Sequence, residues 1–151
     1  MGMLKYLVIH CTATPEGREV SSKEIRRWHT SPVSKGGRGW KQVGYTDMIH
    51  LDGRIERLVK NNEDANVDPW EVTNGARGVN SVSRHIVYVG GIDLSMKPKD
   101  TRTPAQLLSL ANYVKDFHRR FPDVKIIGHN QVAAKACPSF DVKMWLKSIG
   151  I

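Results

Sequence analysis

At 151 residues, the chain has the length of one ordinary domain, able to bury a sizeable core without disulfide or metal staples. Its 23 Lys and Arg outnumber 15 Asp and Glu for a formal charge of +8, which attracts polyanions in general, an anionic cell-wall polymer among them. The basic residues are dispersed, with no block of about five or six and no interleaved aromatics, so specific nucleic-acid binding is not expected. No apolar run approaches the roughly 18 to 20 residues that span a bilayer, so no membrane partner is expected either. The opening residues enter an apolar strand directly, without the basic and apolar regions of a secretory leader. Cytoplasmic synthesis is therefore expected, where thiols stay reduced.

In chain order, residues 6–10 form a short β-branched apolar run, read as a buried strand ending at His10. Ser21 followed by Glu24 is a capping box that opens a helix through Ile25 and Trp28. The Gly-rich residues 31–39 break it. Residues 43–49 and 54–59 read as two strands joined around Asp52-Gly53, a hairpin signal. The polar residues 61–80 read as an irregular surface excursion, and residues 85–92 as the best central strand. Thr103, Pro104 and Gln106 supply an N-cap, a proline at the first helical position and the reciprocal side chain of a second capping box. Leu107, Leu110, Ala111, Val114, Phe117 and Phe121 then recur at helical spacing until Pro122. Residues 124–128 form a strand that delivers His129, and a terminal helix is expected from near Asp141 through Met144 and Trp145.

Two strands therefore each end in a histidine. If their carboxyl ends lie on one side of a sheet, the imidazoles meet at the edge where open α/β sheets place their sites. His10, His129 and Cys137 would give a zinc ion three ligands and leave its fourth tetrahedral position open, as in hydrolytic rather than structural sites. A disulfide between Cys11 and Cys137, or two inert buried thiols, fits the spacing alone equally well. A reducing compartment favours the metal. Cys11 is expected to point to the opposite strand face as a small buried residue. His29, His50, His85 and His118 have no partner spacing that singles them out, and His29 and His118 are expected to finish helices.

The motifs as a set resemble a known family. They are Val-Ile-His10-Cys-Thr-Ala-Thr, Glu24-Ile-Arg-Arg-Trp-His29, Gly39-Trp40 with Val43-Gly-Tyr45, Val89-Gly-Gly-Ile-Asp93, Thr103-Pro-Ala-Gln106, and His129 with Lys135-Ala-Cys-Pro-Ser-Phe-Asp141. In order and over nearly the whole chain, they resemble the type 2 N-acetylmuramoyl-L-alanine amidases, phage members above all. The resemblance implies a single-domain α/β fold over residues 1–151, with a central mixed β-sheet flanked by helices, like that of peptidoglycan recognition proteins. It implies zinc held by His10, His129 and Cys137, and hydrolysis of the lactyl–L-alanine amide of peptidoglycan by a phage or prophage endolysin. Lys135 is then expected to stabilise the oxyanion, and Tyr45 to hydrogen-bond the attacking water or the oxyanion and to relay a proton to the leaving amine. Alternatives are a non-catalytic wall-binding module, from which the zinc cysteine would be missing, and a cytosolic wall-recycling amidase. A monomer is expected, and the phage relatives also imply a contact with RNA polymerase.

The chain departs from the family pattern at three places. Thr46 follows the Gly-Tyr pair where relatives often have His. Gly75 precedes Ala76-Arg77-Gly78-Val79-Asn80 where they often have His, and Ser83-Arg84-His85 replaces Ser-Ile-Gly. These changes are expected to affect the substrate cleft rather than the metal. Arg77 and Asn80 are candidate substrate-binding residues there, since a guanidinium can grip a stem-peptide carboxylate bidentately.

Overall fold

The computed structural model describes residues 2–151. Along the chain run β1 (Gly2–Met3), β2 (Tyr6–Cys11), β3 (Thr14–Pro15), α1 (Ser22–Thr30), β4 (Asp47–Ile49), β5 (Ile55–Arg57), β6 (Asn66–Val67), β7 (Ser83–Tyr88), β8 (Gly91–Ile92), α2 (Pro104–Arg120), β9 (Lys125–Gly128) and α3 (Val142–Ser148). Five strands form a mixed sheet in the order β5-β4-β7-β2-β9. β4, β7, β2 and β9 run parallel, and β5 closes one edge antiparallel to β4. The expected α/β architecture with a central mixed sheet is present.

Burial on both faces explains the continuous apolar runs of β2 and β7, as parallel strands demand. Leu7, Ile9 and Cys11 join Ile86 and Tyr88 against Leu110, Val114 and Phe117 of α2. The opposite face carries Met48, Val87 and Val89, packed with Val20 and Ile25 beside α1. His10 lies opposite Val87, and His85 opposite Val8, in the register of β2 and β7. Both histidines therefore share the α1 face, while Cys11 points the other way, as pleat alternation requires.

Both expected capping boxes are formed, Ser21 with Glu24 and Thr103 with Gln106. The apolar face of α2 is rotated from the expected one. Leu107 is 39% exposed, and Gln106 is fully buried in its stead. The reason is polar: Gln106 Nε2 donates to the Val89 carbonyl at 3.0 Å while its Oε1 accepts from Thr103 N at 2.9 Å. A glutamine can occupy a core position when its amide is satisfied in this way.

The hairpin strands are shorter than residues 43–49 and 54–59, at three residues each. Residues 43–46 leave regular pairing because Gly44 N–H donates to His29 Nδ1 at 2.9 Å. Tyr45 is accordingly a loop residue, not a strand residue. The central strand starts at Ser83 and ends at Tyr88, since Gly90 and Gly91 turn the chain at φ of 132° and 106°. A Cβ at Gly91 would sit 2.4 Å from Cys11 Sγ, so no larger residue fits that turn. Residues 61–80 are less irregular than expected. β6 pairs with β1, and buried Glu71 accepts from the backbone N–H groups of Asn62 and Asp68.

Candidate metal centre

The adjacent parallel strands β2 and β9 pair Ile9 with Gly128, so His10 and His129 leave the sheet side by side. Their ring centroids are 4.7 Å apart. Cys137 reaches them from the loop after β9. That loop is fastened to the sheet by Tyr88 Oη donating to the Pro138 carbonyl at 2.6 Å and Ser139 Oγ donating to the Gly91 carbonyl at 2.7 Å. The Cys137 sulfur itself accepts from Cys11 N–H at 3.2 Å. Both cysteines are free thiols, so the disulfide alternative is not realised.

The three candidate ligand atoms lie within 4.8 Å of one another. His10 Nδ1 and Cys137 Sγ are 3.8 Å apart, close to the roughly 3.6 Å that tetrahedral zinc geometry gives a nitrogen and a sulfur ligand. A soft thiolate with two imidazoles is a donor set suited to zinc. The residues present fit such an ion.

His10 is held by a neighbour that sequence spacing did not single out. Its Nε2 lies 2.8 Å from Nδ1 of fully buried His85. His85 Nε2 in turn lies 3.1 Å from Asn80 Oδ1, the same oxygen that accepts from Ala76 N–H at 2.9 Å. The departure at His85 therefore touches a candidate ligand directly, contrary to the expectation that it would affect only the cleft. The signal lay in two departures from the family resemblance: His85 in place of the expected Gly, and Gly75 in place of an expected His. A Cβ on Gly75 would lie 2.6 Å from His85 Nδ1, so the missing side chain at 75 makes room for the ring at 85.

The site's electrostatics keep its imidazoles neutral. Burial, then the charge of His85 and other neighbours, holds His10 well below its usual value. Burial and, secondarily, Lys135 lower His129. Burial pushes His85 down to about 3. Neutral imidazoles are the form that ligates a metal. Hydrogen bonding to the Cys11 thiol, reinforced by burial, raises the Cys137 thiol above its ordinary range. A coordinating cation reverses that effect, because thiolate is the ligand form.

Buried His10 lies against His129 and Cys137, which line a cleft of about 810 Å³. Tyr45, Arg77, Asn80 and Lys135 all line it. Tyr45 packs its ring 5.1 Å from that of His10, and burial raises its hydroxyl above the usual range, keeping it a neutral donor. Lys135 and Arg77 are solvent-exposed at the rim. Asn80 lines the cleft while its side-chain oxygen accepts from Ala76 N–H and faces His85 Nε2. His29 does end α1, but it is also a cleft residue, buried between Trp40 at 4.8 Å and Tyr45 at 5.2 Å between ring centroids.

A mostly parallel sheet that gathers two imidazoles and a thiol beside a cleft defines an α/β domain with a candidate metal site. The family model described as N-acetylmuramoyl-L-alanine amidase matches residues 2–140. The chain belongs to this family, and its activity is that of an N-acetylmuramoyl-L-alanine amidase. The endolysin of Enterobacteria phage K11 is 36% identical over 140 residues, covering 93% of this chain and 83% of that protein. Among solved structures, the Ph2119 endolysin from a Thermus scotoductus bacteriophage superposes with a TM-score of 0.73 at 24% identity, covering 99% of this chain and 86% of that one. The ectodomain complex of peptidoglycan recognition proteins LCa and LCx, bound to tracheal cytotoxin, shares the fold with a TM-score of 0.66 at 20% identity, covering 97% and 82%.

Proposed function

We propose that this amidase is zinc-dependent and acts as a phage or prophage endolysin on the lactyl–L-alanine amide of peptidoglycan. The observation that carries the reading is the convergence of His10 Nδ1, His129 and Cys137 Sγ beside an open cleft that His129 and Cys137 line. Residues 1–151 would act as one zinc amidase domain, made in the cytoplasm and acting on the wall after release. Among the described residues, no helix is long and apolar enough to cross a membrane.

When bound, zinc would supply a Lewis acid that polarises the scissile carbonyl and acidifies a water. His10, His129 and Cys137 would hold it. The chain's remaining groups handle binding and charge. Amide hydrolysis develops an oxyanion, which needs donors placed where the charge appears. Lys135, two residues before a ligand and exposed at the cleft rim, is the donor assigned to it. Tyr45, neutral and with its ring tilted against that of His10, would hydrogen-bond the attacking water or that oxyanion and pass a proton to the leaving amine. Arg77 at the rim would hold a stem-peptide carboxylate. A structural neighbour's tracheal cytotoxin complex supports a muramoyl-peptide as the occupant of the cleft.

The test is hydrolysis of a purified muramoyl-peptide before and after chelation, with product mass and metal content followed together. Release of an intact stem peptide with a free alanine amine, lost on chelation and restored by zinc, is expected. Binding without cleavage, insensitive to chelation, would overturn the proposal in favour of a wall-binding module.

A further inference from the structure

We propose that Asn80 and His85 form a buried positioning relay that fixes the tautomer of His10 and turns its Nδ1 lone pair toward the metal. The relay rests on the metal-centre reading above and extends it to two residues outside the candidate ligand set.

Its direction follows from one group that cannot be reassigned. The backbone N–H of Ala76 is only a donor, so the Asn80 atom facing it at 2.9 Å is the amide oxygen. The same oxygen faces His85 Nε2 at 3.1 Å, and that nitrogen must therefore carry a hydrogen. A neutral imidazole has one N–H, so His85 Nδ1 is left with a lone pair. His10 Nε2, 2.8 Å away, must then donate to it. The consequence for His10 is a free lone pair on Nδ1, the atom 3.8 Å from Cys137 Sγ. One backbone amide thus sets the state of a ligand two side chains away. A ligating histidine generally passes its other N–H to an acceptor that orients it. Here that acceptor is a second histidine, fully buried in β7, with its own hydrogen pinned.

His85 is held stiffly enough for the task. Its backbone N–H donates to Thr46 Oγ1 at 3.2 Å, and its carbonyl accepts from Thr46 N–H at 2.8 Å. Its ring fills the space that Gly75 leaves. The chain's departures at positions 46, 75 and 85 meet around this one ring.

The experiment uses the full-length, metal-free chain as wild type, His85→Ala, His85→Asn and Asn80→Ala. Nitrogen-15 NMR of the histidine rings in the wild type should show the hydrogen on Nε2 of both His10 and His85. Zinc affinity, measured against a competing chelator, should fall about tenfold to a hundredfold in His85→Ala, with an altered ligand-field spectrum when cobalt(II) replaces zinc. In His85→Asn the amide oxygen stands near the old Nδ1 and can accept the same hydrogen, so most of the affinity and the cobalt spectrum should return. If His85→Ala does not fold, Asn80→Ala takes its place and should show mixed tautomers at both rings. A hydrogen on Nδ1 of His10 in the wild type would overturn the relay, as would unchanged zinc affinity and cobalt spectrum in the alanine variants. Failure of the wild type to bind either metal would instead remove the metal-centre reading, while the NMR result still decides the relay.

Discussion

The two faces of the central sheet are built from alternate residues of the same strands, yet one is an apolar core and the other carries a polar site beside a second apolar cluster. Toward α2, Leu7, Ile9, Ile86 and Tyr88 meet Leu110, Val114 and Phe117, and the few polar groups are paired at once, as Gln106 is. Toward the cleft, His10 and His85 replace apolar residues in the same two strands. Each is buried and hydrogen-bonded, and each is held neutral by its surroundings. Adjacent residues in β2 therefore do opposite work: Cys11 packs on the core side while His10 faces the site. The apolar face supplies rigidity, and the polar face uses that rigidity to hold its candidate ligands near fixed positions.

This division can be broken from either side. The largest effect is expected from Cys137→Ser, which should remove most bound zinc and nearly all hydrolysis while thermal unfolding of the metal-free chain stays close to wild type. Metal content and turnover of the purified variant check it. On the opposite face, Phe117→Ala should cost about 3–5 kcal/mol of folding stability by opening a cavity, with zinc stoichiometry unchanged in whatever fraction remains folded. A denaturant titration followed by metal analysis separates the two. Lys135→Ala lies on the polar side but outside the ligand set. It should keep its zinc and lose about a hundredfold in turnover, or about 2.7 kcal/mol of transition-state stabilisation. Wild-type hydrolysis in that variant would reduce Lys135 to a surface residue.

The smallest effect sharpens the electrostatic half of the comparison. Burial, with Arg38 nearby, pushes His29 down to about 4, whereas an unfolded histidine titrates near 6.5. The unfolded chain therefore binds a proton below pH 6.5 that the folded chain refuses until about pH 4. Stability from this group is complete above the unfolded value, falls as pH drops through that window, and levels off below it. The slope is at most about 1.4 kcal/mol per pH unit. Urea midpoints of the metal-free chain between pH 7 and pH 4.5 should show it. His29→Asn keeps an acceptor for Gly44 N–H and should lower the slope by its own share, leaving the part that His10, His85 and His129 contribute.

Several elements were legible because their signals are local. The capping boxes at Ser21 and Thr103 fixed where α1 and α2 begin, and Pro122 fixed where α2 could not continue. The apolar run before each of His10 and His129 marked two strands, and the motif around Cys137 added a third candidate ligand. Less legible was whatever depended on a partner distant in sequence. Gln106 took a core position from Leu107 because the Val89 carbonyl was there to receive it. Residues 43–46 left the sheet because His29 drew off the Gly44 amide. Helical periodicity and strand propensity hold no record of either partner.

By itself, then, the sequence determined the strand-ending histidines, the helix starts and the set of donors from which a metal site could be chosen. Only the tertiary structure decided that β2 and β9 are parallel neighbours, which brings two imidazoles 119 positions apart in the sequence (His10 and His129) to ring centroids 4.7 Å apart. It alone also decided that His85 belongs with them, through contacts to His10 and Asn80 that run 75 and 5 residues along the chain. The physical reason is that propensity, capping and periodicity act over a few neighbouring residues. The choice of a hydrogen-bond partner, and with it the tautomer of a ligand, depends on which atoms the finished sheet brings within about 3 Å.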